Sequence, residues 1–153
     1  MLLQERYRLL TFFFYPAYLW KLLDVMQSEY GAVIVAEPHL LPWCEGEVDP
    51  TKPLESLARK AFALYDTGPL KPFFVDKVLK EAREHKAEGA IYWAHIGCRQ
   101  TCTTTRILKD ALLEEAGIPT LVVDCDLADP TYSSGEQMKD RLEEFFELLD
   151  ERK

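Results

Sequence analysis

Hydrophobic and polar positions change period along the chain in a regular way, and glycine, proline or a short polar cluster marks nearly every change. Arg8 to Phe14 is a compact apolar run rich in aromatics and bounded by Pro16, the pattern of a buried strand. From Leu19 to Tyr30 the apolar residues Leu19, Leu22, Leu23 and Met26 fall at helical spacing, and Gly31 closes that helix. Ala32 to Ala36 is the next strand, stopped by Glu37-Pro38. Pro38 to Pro53 is an irregular loop broken by Pro42, Gly46, Asp49 and Pro50. Pro53 suits a first helical position, and Leu54, Leu57, Ala58, Ala61 and Tyr65 share one face before Asp66-Thr67-Gly68-Pro69 ends the helix. A further helix carries Phe74, Val78, Leu79 and Ala82 inward, with Lys80, Glu81, Arg83 and Glu84 on the solvated side.

The second half repeats the alternation. Ala90 to Ala94 is a strand running into His95-Ile96-Gly97-Cys98, and the helix behind it places Ile107, Leu108, Ala111 and Leu112 inside. Ala116-Gly117-Ile118-Pro119 closes that helix, Thr120 to Val123 is a fourth strand, and Asp124-Cys125-Asp126 is its exit. Ser134 with Gln137 three residues later is a capping-box signature for a last helix, whose Met138, Leu142, Phe145, Phe146 and Leu149 face inward. Continuous apolar strands separated by helices predict a doubly wound (flavodoxin- or Rossmann-like) α/β fold, a mainly parallel four-stranded sheet with helices on both faces. Right-handed crossovers make 2-1-3-4 the simplest strand order. Ligands of such folds sit beyond the carboxyl ends of the strands. The positions to interrogate are therefore Pro16, Glu37 to His39, His95 to Thr103 and Asp124 to Asp129.

A length of 153 residues predicts one domain spanning residues 1–153. With 26 acidic against 18 basic side chains the net charge is −8, and no basic run interleaved with aromatics offsets it, so nucleic acid is not an expected partner. The longest apolar stretch, Leu9 to Trp20, is interrupted by Thr11 and Pro16 and falls short of a bilayer span, so no membrane association is expected. Charged residues at Glu5 and Arg6 precede any apolar signal core, which makes the cytoplasm the expected compartment. Cysteines 44, 98, 102 and 125 are then expected as thiols or metal ligands rather than disulfides.

The segment from His95 to Cys102 holds the most chemistry. It lies between a buried strand and a helix N-terminus, where the helix dipole favours negative charge, and Arg99 pushes the same way. Both favour the thiolate of Cys98, the form that binds iron or attacks an electrophile, while Gly97 admits close approach of a bulky ligand. An inert cysteine packed beneath the sheet is the competing reading of Cys98. Apolar periodicity explains Cys102 and Cys125 as core positions, and Cys44 sits in the irregular loop; all three are secondary metal-ligand candidates. His95 is a candidate acid or ligand-orienting group, or a strand-end side chain satisfied by backbone. Tyr15, Trp43 and the Phe12 to Phe14 run suit core packing, with an aromatic pocket as the alternative. Neither a Gly-x-Gly-x-x-Gly fingerprint nor a P-loop occurs, the arginine spacing after Cys98 does not suit a phosphatase loop, and Cys-x-x-Cys is absent.

Tyr92 to Thr101, Lys109-Asp110, Ala116 to Leu121, Asp124-Cys125-Asp126 with Asp129-Pro130, and Gln137-Met138-Lys139 with Arg141-Leu142-Glu143 together resemble the carboxyl-terminal part of the 2-hydroxyacyl-CoA dehydratase and benzoyl-CoA reductase family. Glu5 to Leu10, Gly31-Ala32-Val33 and Glu45 to Asp49 are similar to it too. The resemblance implies a lyase or reductase subunit in which Cys98 is a ligand of a [4Fe–4S] cluster, flanked by Arg99 and Gln100, with further cysteines supplied from outside this chain. It implies an acyl-CoA substrate, reduced by one electron to a ketyl radical in the dehydratases. It also implies two kinds of partner: a polypeptide supplying the absent amino-terminal half or a related second subunit, and an ATP-hydrolysing iron–sulfur activator. A cluster-free acyl-CoA-binding or subunit-assembly domain, a ring reductase and a double-cubane reductase are the alternatives.

Overall fold

The computed structural model describes residues 4–40, 47–62 and 70–153. Four strands, β1 (Tyr7–Phe12), β2 (Ala32–Ala36), β3 (Gly89–His95) and β4 (Thr120–Cys125), form one sheet in the order β2-β1-β3-β4. All three pairings are parallel. Five helices accompany them among the described residues: α1 (Trp20–Tyr30), α2 (Pro53–Phe62), α3 (Val75–Glu84), α4 (Arg99–Ala116) and α5 (Gly135–Glu151). This is the expected doubly wound α/β arrangement in the expected strand order, and it follows from near-continuous apolar strands buried on both sides.

Alternate residues of the strands feed two separate cores. Tyr7, Leu9, Ile91, Trp93, Val123 and Cys125 face α1 and α5, meeting Leu22, Met26, Leu142 and Phe145. Leu10, Phe12, Ala90, Tyr92 and Ala94 face α3 and α4, meeting Val75, Val78, Leu79, Leu108 and Leu112. Two of the large side chains in this packing have their polar atoms matched: the Trp93 indole N–H donates to Thr11 Oγ1 at 3.0 Å, and the Tyr7 hydroxyl donates to Asp150 at 2.6 Å. The capping box of α5 forms as its sequence signature indicates, Ser134 Oγ accepting from the Gln137 N–H at 3.2 Å.

Local differences from the sequence pattern are informative. β1 ends at Phe12 rather than Phe14, because Phe13 adopts a left-handed backbone (φ 63°) and turns the chain away from the sheet. Core packing therefore claims Phe12 fully and Phe13 in part, its half-buried ring set edge-on to Tyr92, while Phe14 and Tyr15 are exposed. Ile107 is 46% exposed, since the helical stripe of α4 centres on Leu108 and Leu112. Glu81 is buried and reaches His85 Nε2 at 3.2 Å instead of lying on the solvated side. α2 presents Leu54 and Leu57 to solvent and buries Ser56. Cys44, Trp43 and Tyr65 lie outside the described residues.

Candidate functional site at the carboxyl edge of the sheet

Because β3 is central and β4 is its neighbour, the exits of these two strands are brought side by side. Ile96 N–H donates to the Cys125 carbonyl at 3.0 Å, and His95 Nδ1 lies 3.2 Å from the same oxygen. A carbonyl only accepts, so Nδ1 carries the proton of the neutral ring and Nε2 is left as the acceptor. The His95 ring covers Gly97: a Cβ there would stand 3.3 Å from Nε2. A strand-end histidine tied to backbone, one of the readings the sequence left open, is what the structure shows.

Cys98 is the N-cap residue of α4, in an extended conformation (φ −105°, ψ 104°), half-buried, with no side-chain cap bond and no acidic residue in the first helical turn. Its N–H donates to the His95 carbonyl at 2.9 Å, closing the turn. The same carbonyl receives the Thr101 hydroxyl at 3.2 Å and the Cys102 thiol at 3.4 Å. Cys102 is exposed, not a core residue: one turn into α4 the inward position falls to Thr101, which is buried, and Cys102 is rotated out. Cys125 is fully buried, and burial reinforced by Asp124 and Asp126 pushes its thiol up to about 11. It stays a protonated core thiol, as its periodicity indicates.

The first turns of α4 are braced from within. Thr103, Thr104 and Thr105 return their hydroxyls to carbonyls three or four residues back, the Thr105 bond to Thr101 being 2.7 Å. From the sheet, the Tyr92 hydroxyl donates to the Thr101 carbonyl at 2.8 Å and lies 2.6 Å from Thr104 Oγ1. Burial raises the Tyr92 hydroxyl to about 12, so it remains a donor. Sequence reasoning missed this bracing, although five consecutive helical positions carrying Thr101, Cys102, Thr103, Thr104 and Thr105 were a visible sign of side chains bonding back to their own helix. Arg99 and Gln100 are exposed at the mouth of the turn.

The other strand exits contribute differently. Asp126 Oδ1 accepts from the N–H groups of Ala128 and Asp129 at 2.8 and 2.9 Å, and Asp129 Oδ1 holds Thr131 in the same way. These bonds lower both carboxyls and identify them as turn formers. His39 is buried after β2, and its Nδ1 accepts the N–H of the left-handed Phe13 at 3.2 Å. Its Nε2 is buried without a hydrogen-bond partner, and burial lowers the ring to about 4. Among the described residues, no three or more His, Cys, Asp or Glu side chains gather as a metal site. Two thiols therefore stand at this edge among the described residues, the half-buried Cys98 at the N-cap and the exposed Cys102 one turn on, and the N-cap position of Cys98 is chemically suited to a thiolate ligand.

The structure is a parallel doubly wound α/β domain with a cysteine at the strand-to-helix turn that follows the interior strand β3, on the edge of the sheet where ligands of such folds sit. The chain belongs to the family described as 2-hydroxyglutaryl-CoA dehydratase, D-component, which it matches over residues 3–149. It is also 28% identical over 138 residues to one of the subunits of benzoyl-CoA reductase from Thauera aromatica, a match covering 88% of this chain and 31% of that relative. The chain thus spans about a third of the length of that curated relative. Among the described residues, no helix is long and apolar enough to cross a membrane.

Proposed function

We propose that this chain is the part of an acyl-CoA dehydratase-type or reductase-type subunit that presents Cys98 as one thiolate ligand of a [4Fe–4S] cluster. The observation that carries the reading is the coincidence of the family match with the position of Cys98, half-exposed at the N-terminus of α4 on the carboxyl edge of a central strand. When bound, the cluster would supply one electron at low potential to an acyl thioester. The protein's own contribution is positional. Gly97 and the His95 carbonyl hold the turn, Tyr92 and the threonine brace fix the helix behind it, and Arg99 and Gln100 flank the thiol. The additional ligands and the acyl-CoA pocket belong, on this reading, to an amino-terminal half or a related second subunit, and the electron donor is an ATP-hydrolysing activator.

Anaerobic reconstitution with iron and sulfide tests the proposal, read as iron and acid-labile sulfide per chain and by electron paramagnetic resonance. Iron and sulfide bound in the presence of the second polypeptide and lost in Cys98→Ala, while Cys102→Ala retains them, is the expected result. Iron content indifferent to Cys98→Ala would remove Cys98 from the ligand set, and no specific iron in the wild type would leave the chain a cluster-free acyl-CoA-binding or assembly domain.

A further inference from the structure

Core packing does little to fix the turn that carries Cys98. Between the end of β3 at His95 and the start of α4 at Arg99, Ile96 and Gly97 are exposed and Cys98 is half-buried. Its hold is the hydrogen bonding of its own backbone. Cys98 N–H donates to the His95 carbonyl at 2.9 Å, and the Cys98 carbonyl accepts the Cys102 N–H at 3.2 Å. The Thr101 side chain engages both of these carbonyls. Its hydroxyl lies 3.0 Å from the Cys98 oxygen and 3.2 Å from the His95 oxygen, sharing one proton between them.

A threonine bonding three residues back is ordinary in a first helical turn. The second bond is not, because it reaches past the start of the helix to the last residue of a strand. It ties α4 to β3 across the turn. Thr101 is itself seated firmly: it is 4% exposed, and its carbonyl accepts the Tyr92 hydroxyl from the sheet at 2.8 Å. The Cys102 thiol, 3.4 Å from the His95 carbonyl, is too weak a donor to take over that bond. We propose that Thr101 is the positioning residue of this site, its hydroxyl clamping the turn so that the Cys98 thiol stays at the N-terminus of α4. The inference rests on the reading of Cys98 as the presented thiol and adds the group that presents it.

Competitive labelling of the folded full chain with iodoacetamide is the test. Trypsin cuts after Arg99, so Cys98 and Cys102 are read on separate peptides, residues 87–99 and 100–106, and each is the other's internal control. A thiol held at a helix N-terminus is the more nucleophilic. The Cys98-to-Cys102 labelling ratio should fall roughly threefold or more in Thr101→Val, which keeps the shape and loses the donor, and return in Thr101→Ser. An unchanged or raised ratio in Thr101→Val overturns the inference, as does an equal fall in Thr101→Ser, which would assign the effect to the lost methyl group. Circular dichroism checks each fold, and Thr101→Ala takes the place of Thr101→Val if the latter unfolds. Iron content is a separate arm: a wild type with no Cys98-dependent iron sinks the cluster reading, while the labelling ratio still decides the role of Thr101.

Discussion

The three cysteines among the described residues have three different fates, decided by rotation and depth. Cys98 ends a turn and stays at the edge, Cys102 is turned to solvent one helical turn later, and Cys125 closes a strand inside the core. The glycine before Cys98 and the helix start after it made its place legible in sequence. The exposure of Cys102 was not legible, because i+4 spacing fixes which residues share a face and leaves open which face looks inward. His39 shows the same limit. Its neighbourhood was identifiable as a strand exit, but its burial depends on Phe13 leaving the sheet. That burial has a pH consequence. An unfolded histidine protonates near 6.5 whereas folded His39 resists until about 4, so the unfolded state binds more protons in between and stability falls as pH drops through that window. The loss attributable to His39 is at most ~3 kcal/mol. Melting temperatures from pH 7 to 4 should fall less steeply in His39→Gln than in the wild type; equal slopes would place the acid sensitivity in other groups.

At the scale of elements, endings are governed by backbone conformation as much as by composition. α1 and α4 both stop at a left-handed glycine, Gly31 at φ 68° and Gly117 at φ 69°. Their surroundings differ. A Cβ on Gly31 would meet the Gln4 carbonyl oxygen at 2.6 Å, whereas one on Gly117 has nothing within 4 Å. Gly117→Ala should therefore cost only the left-handed penalty, about 1 kcal/mol, and Gly31→Ala distinctly more, because backbone must move as well. Urea titration of the two variants measures the difference, and equal midpoints would mean that the segment before β1 yields without cost. Helix α2 illustrates the converse. Its apolar stripe was plain in sequence, yet Leu54 and Leu57 look outward while Ser56, on the other side, is buried and accepts the Asp49 N–H.

Across the whole molecule, burial on both faces of the sheet keeps several weak acids protonated. Tyr7 and Tyr92 are pushed up to about 12 and Cys125 to about 11, burial being the first cause in each. In the unfolded chain these groups release their protons near 10 and 9. Above about pH 9 the folded state therefore binds more protons, and stability must decline as pH rises toward 12. Denaturant midpoints at pH 8 and pH 10.5 should show the decline, with a smaller drop in Tyr92→Phe; an unchanged midpoint would mean that these hydroxyls and the thiol titrate freely. The open edge of β4 is shielded in the same economical way, Arg141 donating to the outward Val122 carbonyl at 2.6 Å.

Strand order, parallel pairing, the two-sided core and the place of the Cys98 turn were all determined by sequence, because period-two and period-3.6 patterns, caps and helix stops act locally and leave few topologies open. Only the tertiary structure decided which side of α2 faces solvent, that Cys102 points out, that His39 is entombed by the turn at Phe13, and that Tyr92 braces α4 from the sheet. Each of those outcomes depends on residues far apart in the chain competing for the same interior space, and a local pattern carries no record of which competitor wins.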